Sequence, residues 1–334
     1  MSKLYPVGVQ NFEKVILGSY EYVDKTALIY QLFNTGSYYF LSRPRRFGKS
    51  LLLSTLEAYA LGKKELFKGL ALEKLEKDWT VYPVLHLDLN TQKYDTPESL
   101  TNVLEENVQN WEALYGASSS EIGVARRFQG IIRRACEQTG RRVVILIDEY
   151  DKPMLQAIGN EALQNEYRST LKAFYGALKS MDGCIRFALL TGVTKFGKVS
   201  VFSDLNNLMD ISMDDRYVEI CGISEKEIHT YFEEDIHALA TATGLTYEET
   251  CAELKSNYDG YHFTENAVGM YNPFSLLNTF AKKKFGSYWF ETGTPTYLVE
   301  LLKLHHYPIE ELEHIVTSQP VLDSIDTAST DPIP

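Results

Sequence analysis

The chain has 334 residues, 44% of them hydrophobic and 23% charged, which is enough for two domains that each bury a core. A formal net charge of −12 works against a surface that coats nucleic acid, leaving at most a local basic groove. Cys136, Cys184, Cys221 and Cys251 form no C-x-x-C pair, and neither a secretory leader nor a membrane-length apolar run is present, so the expectation is a soluble cytoplasmic protein with no membrane role.

In chain order, Leu28, Ile29, Leu32 and Phe33 recur at helical spacing after Tyr22-Val23-Asp24-Lys25-Thr26. Tyr38–Leu41 reads as a short strand that feeds the loop Arg43-Pro44-Arg45-Arg46-Phe47-Gly48-Lys49-Ser50, and Leu51–Leu61 continues as a helix. Val81–Leu89 reads as a second strand, with His86 and Asp88 on one face. Pro97–Tyr115 and Glu121–Thr139 read as helices, the latter stopping at Gly140. Val143–Ile147 is a run of the kind found in strands buried on both faces. A helix over Glu161–Ser180, a strand over Ile185–Leu190 and a last strand over Tyr217–Ile220 complete the alternation.

Strands alternating with helices imply an α/β fold, a parallel sheet with helices on both faces, and the loop and family resemblance described below make the expected class a P-loop NTPase sheet. After residue 222 the pattern turns to helices alone, with capping boxes at Ser224-x-x-Glu227 and Thr246-x-x-Glu249 and polar caps before proline at Asn272-Pro273 and Thr294-Pro295. The expected division is therefore a core over 1–221 and a smaller, mainly helical lid over 222–334. The tail from Thr317 lacks a closing helix, which suggests a lid truncated at its C-terminal end.

The chemistry concentrates in two places. A phosphate loop works because backbone N–H groups and a helix N-terminus face one anion while a lysine neutralises charge. Gly48 permits close approach, Lys49 supplies the ammonium and Ser50 offers a hydroxyl to Mg²⁺. The usual pattern has glycine five places before Gly48; here Arg43 stands there, followed by Pro44. Arg45 and Arg46 read equally well as functional groups, reaching phosphate or clamping the loop against a neighbouring subunit or helix, and as a solvated pair. At the end of the Val143–Ile147 strand, Asp148 suits a Mg²⁺-bound water and Glu149 suits a general base. Asp151 and Lys152 read as a surface pair. Thr191 closes the neighbouring strand, where its hydroxyl can sense a γ-phosphate; Thr194, Lys195 and Lys198 follow it. His305-His306 is not spaced for chelation.

Taken together, the segments Tyr22–Lys25, Arg43–Ser50, Asp148–Asp151 and Thr191–Leu208 resemble the AAA-ATPase-like family of P-loop proteins. Tyr258-Asp259-Gly260-Tyr261, Tyr271-Asn272-Pro273-Phe274 and Trp289–Pro295 look like that family's markers in the helical half. The resemblance implies an ATP-binding core with a helical lid, Tyr22 and Asp24 near the adenine, and the stretch Arg43–Leu51 around the phosphates. It also makes Arg43 a family habit. Many relatives continue into a PD-(D/E)XK nuclease-like region, which is not visible here.

The expectation for function is Mg²⁺-dependent ATP binding and hydrolysis that switches the helical half. Two alternatives stand beside it: a nucleotide-gated module that binds without hydrolysis and recruits a partner or nuclease, and a DNA-processing accessory ATPase, which the net charge does not favour. The expected partners are a nucleotide and either another protein or further copies of the chain.

Overall fold

The computed structural model describes residues 3–195, 202, 205, 207–264 and 268–289. Gly197-Lys198, Thr294-Pro295, His305-His306 and the tail lie outside them. The described part clusters into two compact units, one within Met1–Val84 and Met209–Thr294, the other within Leu85–Leu208. The boundary at residue 221, where the sequence pattern changes, falls inside the first unit.

In the second unit, β2 (Val84–Asp88) lies beside β3 (Val143–Asp148), and β3 pairs in parallel with β4 (Ile185–Gly192). Every residue of β3 is buried, as its unbroken apolar run requires. The register sets Ile147 against Leu190, so the next residues, Asp148 and Thr191, meet at the strand ends. Helices α5 (Pro97–Tyr115), α6 (Val124–Thr139), α7 (Lys152–Gln156) and α8 (Glu161–Ser180) belong to this unit. A Thr96/Ser99 capping box with Pro97 in the first turn starts α5, and Gly140, at φ 64°, stops α6. Trp111, Phe128 and Phe174 join α5, α6 and α8, the last two rings stacked at 4.4 Å.

In the first unit, β1 (Tyr38–Ser42) pairs in parallel with β5 (Met209–Asp210), Tyr39 opposite Met209. Around them are α1 (Phe12–Leu17), α2 (Thr26–Thr35), α3 (Lys49–Ala60) and α4 (Ala71–Leu75). The helical part contributes α9 (Glu225–Tyr231), α10 (Glu233–Thr243), α11 (Tyr247–Tyr258) and α12 (Pro273–Lys282). Ile228, Phe232, Ile236, Leu254, Leu276 and Phe280 form its core, and Tyr5, Val7 and Val23 of the N-terminal segment pack against it. Ser224 and Thr246 make their capping boxes, and the Asn272 side chain accepts from the Ser275 N–H at 3.0 Å. The class is thus α/β with parallel strands and a mainly helical addition. Among the described residues no helix is long and apolar enough to cross a membrane.

Two expectations need correction. Tyr217–Ile220 is not a strand but part of a 3₁₀ helix, Asp215–Ile220. The Asp214 carboxylate accepts from the Arg216 N–H and starts the turn, while a buried arginine takes up the carbonyls of Tyr217 and Val218. The last parallel strand is instead the two-residue β5. The region after 222 is also not helices alone. It contains a three-stranded antiparallel sheet of order β6-β8-β7, formed by Ile223–Ser224, Met270–Tyr271 and Asp259–Tyr261. Strands of two or three residues are too short for alternation to reveal.

Candidate functional site

The first unit holds the loop Arg43–Ser50 that the sequence reading assigned to phosphate. Gly48 takes φ 96°, ψ 14° as the N-cap of α3, a left-handed conformation that a side chain resists. Arg46 is also left-handed, at φ 66°. Arg43 does not have a positive φ, so the position that usually carries glycine needs none here.

Lys49 is buried and lies back over its own loop, with Nζ donating to the carbonyls of Arg43 at 3.0 Å and Pro44 at 3.4 Å. Ser50 is half-buried in the first turn of α3. The Arg43 guanidinium is directed into the protein, onto carbonyls and the Phe263 ring. Phe47 is buried edge-on against Tyr261 at 4.7 Å and Phe263 at 5.6 Å, and its carbonyl accepts from the Gly222 N–H at 3.1 Å. Arg45 and Arg46 are exposed. The Arg45 carbonyl accepts from Trp289 Nε1 at 3.2 Å, and the Arg46 guanidinium lies 4.8 Å from the Phe274 ring centre.

Beside the loop opens a cleft of about 100 Å³. Its lining is mostly apolar: Pro6, Tyr22, Val23 and Ile29, then Phe47, Gly48, Leu51 and Leu52 of the loop and the helix after it, and Ile220–Ile223, Pro273 and Leu277. Tyr22 therefore lines the cleft, and burial raises its phenol pKa. Asp24 has a different setting. Its Oδ1 accepts from the Thr26 N–H and hydroxyl at 2.8 and 2.6 Å, and its Oδ2 from the Ala71 N–H at 2.8 Å, so one carboxylate holds the starts of α2 and α4. Next to it Lys25 pairs with Glu227 at 2.5 Å.

The second unit holds the acids. Asp148 is buried, and its Oδ1 accepts from Thr191 Oγ1 at 2.6 Å and from the Glu149 N–H at 3.0 Å. The Thr191 hydroxyl thus orients this carboxylate. Glu149 is half-buried in the left-handed region, at φ 54°. Asp88 at the end of β2 has its carboxyl pushed above the ordinary range by desolvation and by the charges of Asp148 and Glu149.

Asp151 and Lys152 do not form a surface pair. Asp151 is buried, and its Oδ2 accepts from the N–H groups of Val193 and Thr194 at 3.0 and 2.7 Å and from the Thr194 hydroxyl at 2.8 Å. Lys152 instead reaches Asn90. The reason is a turn that needs an anion: Gly192 leaves no room for a Cβ, which would meet Tyr150 at 2.4 Å and Asp151 at 2.8 Å. Phe263 and the Cys221–Ile223 wall are residues that motif reading did not single out, and Asp151 is one that it placed at the surface.

A family model for "Predicted AAA-ATPase" matches residues 6–202, which span the Pro6 wall, the phosphate loop and the strand-end acids. The chain belongs to this family. A protein of Azotobacter chroococcum mcd 1, described as an uncharacterized protein in the vnfD 5' region, is 40% identical over 326 residues. That alignment covers 97% of this chain and 61% of the relative, so the AAA-ATPase chain spans less than two thirds of that protein's length. No solved structure matches.

Magnesium suits the donors present. In the first unit Ser50 offers a hydroxyl oxygen, and in the second Asp148 offers a carboxylate whose Oδ1 is fixed by Thr191; each is a hard oxygen donor. Among the described residues no group of three or more His, Cys, Asp or Glu side chains is arranged to hold a metal.

Proposed function

We propose that this chain binds MgATP and hydrolyses it. The observation that carries the reading is the left-handed Gly48 at the head of α3, with buried Lys49 beside it, next to a mostly apolar cleft that Gly48 itself lines. Family membership supports ATP binding in general. In this reading the base lies in the cleft against Tyr22 and Leu51. The polyphosphate follows the backbone from Arg43 through Pro44, Arg45, Arg46 and Phe47 to Ser50, and Lys49 leaves its carbonyls to neutralise it.

Ser50 and Asp148 would hold Mg²⁺, which draws charge from the phosphate oxygens when bound. Glu149 takes a proton from the attacking water, and Thr191 holds Asp148 in place. Asp24 serves the site from behind, by holding two helix starts. Loop and helical half touch through Phe47 on Tyr261, Arg46 on Phe274 and Trp289 on Arg45, so a change in the loop has direct contacts through which to move the helical half.

The test is calorimetry with MgATP together with steady-state phosphate release. Lys49→Ala should weaken MgATP binding by about a hundredfold or more, since it removes a cation from the anion site. Glu149→Gln should keep affinity within about threefold and lower turnover by at least about a hundredfold. Equal affinity for wild type and Lys49→Ala would sink the proposal. Firm binding by the wild type without phosphate release would make the chain a nucleotide-gated binding module instead.

A further inference from the structure

Arg43 stands where the usual phosphate loop has its first glycine, yet it is one of the largest side chains in the protein with almost no exposure, 1%. A buried guanidinium is costly unless its N–H groups are matched. Nη1 donates to the carbonyls of Ser42 at 3.0 Å and Ser212 at 2.6 Å, and Nη2 reaches those of Tyr217 and Val218 at 3.4 and 3.5 Å. Its flat face lies 3.8 Å from the centre of the Phe263 ring. These partners are neutral carbonyls and a ring rather than anions, and the buried Nε has no partner. Burial lowers the guanidinium pKa to about 10, so the group keeps its charge at neutral pH.

The backbone of the same residue has a second task, because its carbonyl receives the Lys49 ammonium at 3.0 Å. The preceding residue is tied as well, with the Ser42 N–H donating to Ser212 Oγ at 2.8 Å. At the other end of the loop, Phe47 packs on the same Phe263 ring. Both ends of the loop therefore rest on one ring.

We infer that Arg43 is a positioning residue for the phosphate lysine. Its guanidinium pins the start of the loop to the 212–218 segment and Phe263, and its carbonyl thereby sets where Lys49 waits for a polyphosphate. The inference rests on the MgATP reading above. It carries a consequence opposite to what motif matching suggests: installing the usual glycine at position 43 harms the loop, because glycine removes the pin and adds backbone freedom.

The experiment is calorimetric titration of wild type, Arg43→Gly and Phe263→Leu with MgATP and, separately, adenosine. Absence of MgATP binding by the wild type would defeat the ATP reading itself, whatever Arg43 does. Given binding, Arg43→Gly should weaken MgATP by about tenfold or more. Adenosine, which needs only the apolar cleft, should change by less than about twofold. Phe263→Leu keeps an apolar side chain but loses the ring face, and should weaken MgATP about threefold with adenosine unaffected. In the Arg43→Gly background the Phe263 change should add nothing. A folded Arg43→Gly that binds MgATP as well as wild type, or that loses both ligands in parallel, overturns the inference. If Arg43→Gly does not fold, Phe263→Leu decides: unchanged MgATP affinity overturns it.

Discussion

The phosphate loop and the strand-end turn each contain a buried charge that binds backbone rather than ligand, but the two reach in different directions. Arg43 is a cation seeking carbonyls, and finds that of Ser212 169 positions away. Asp151 is an anion seeking N–H groups, and finds those of Val193 and Thr194 across the neighbouring strand end. Their glycines differ as well. Gly48 needs its backbone angle, for a Cβ there would meet nothing within 4 Å, whereas Gly192 needs its space. The contrast teaches that a charged residue inside a nucleotide motif can be a brace, and that its brace partner shows which backbone the site cannot let move.

The comparison can be broken from the side of the turn first. Asp151→Ala leaves two N–H groups and a hydroxyl without their acceptor, and should cost about 3 kcal/mol in urea unfolding. A loss below about 1 kcal/mol would show that the turn is held elsewhere. Gly192→Ala comes next, at about 2 kcal/mol, because the new methyl meets the Tyr150 ring. Gly48→Ala should cost only about 1 kcal/mol, the price of a left-handed alanine with open space around it. If the two glycine variants destabilise equally, the distinction between angle and space fails.

The smallest effect concerns pH. Asp88 has a folded pKa above its unfolded one, so it binds its proton more tightly in the folded state. Its ionisation then costs stability that sets in as pH rises past the unfolded value and is complete above the folded value. Asp88→Asn should therefore raise the urea midpoint slightly at neutral pH, with the gain fading as pH falls to about 3. A gain that persists undiminished in acid would point to something other than the charges of Asp148 and Glu149.

Much of this was legible in the sequence where the relevant residues are consecutive. The helices Pro97–Tyr115 and Glu161–Ser180 and the start of β3 at Val143 lie where periodicity and apolar runs put them. The strand, loop and helix around Gly48-Lys49-Ser50 were equally plain. What stayed hidden depends on register and tertiary partners. Asp151 meets Gly192 and Thr194 only because β3 and β4 pair with Ile147 against Leu190. Asp24 looks like a ligand in the string Tyr-Val-Asp-Lys, but Ala71, its second partner, is 47 positions away. Tyr217–Ile220 has a strand's composition, and its helical turn follows from Asp214 and from the buried arginine that claims its carbonyls.

The Trp289 indole that donates to the Arg45 carbonyl has a spectroscopic consequence. The chain has three tryptophans. Trp111 is packed on Phe128, and Trp79 on Phe67 and Tyr59, both against aromatic rings. The third is hydrogen-bonded to the loop backbone itself. Its emission is therefore tied to where that carbonyl sits, and the protein carries an internal optical gauge of its own phosphate loop, readable in a stopped-flow trace without any added label.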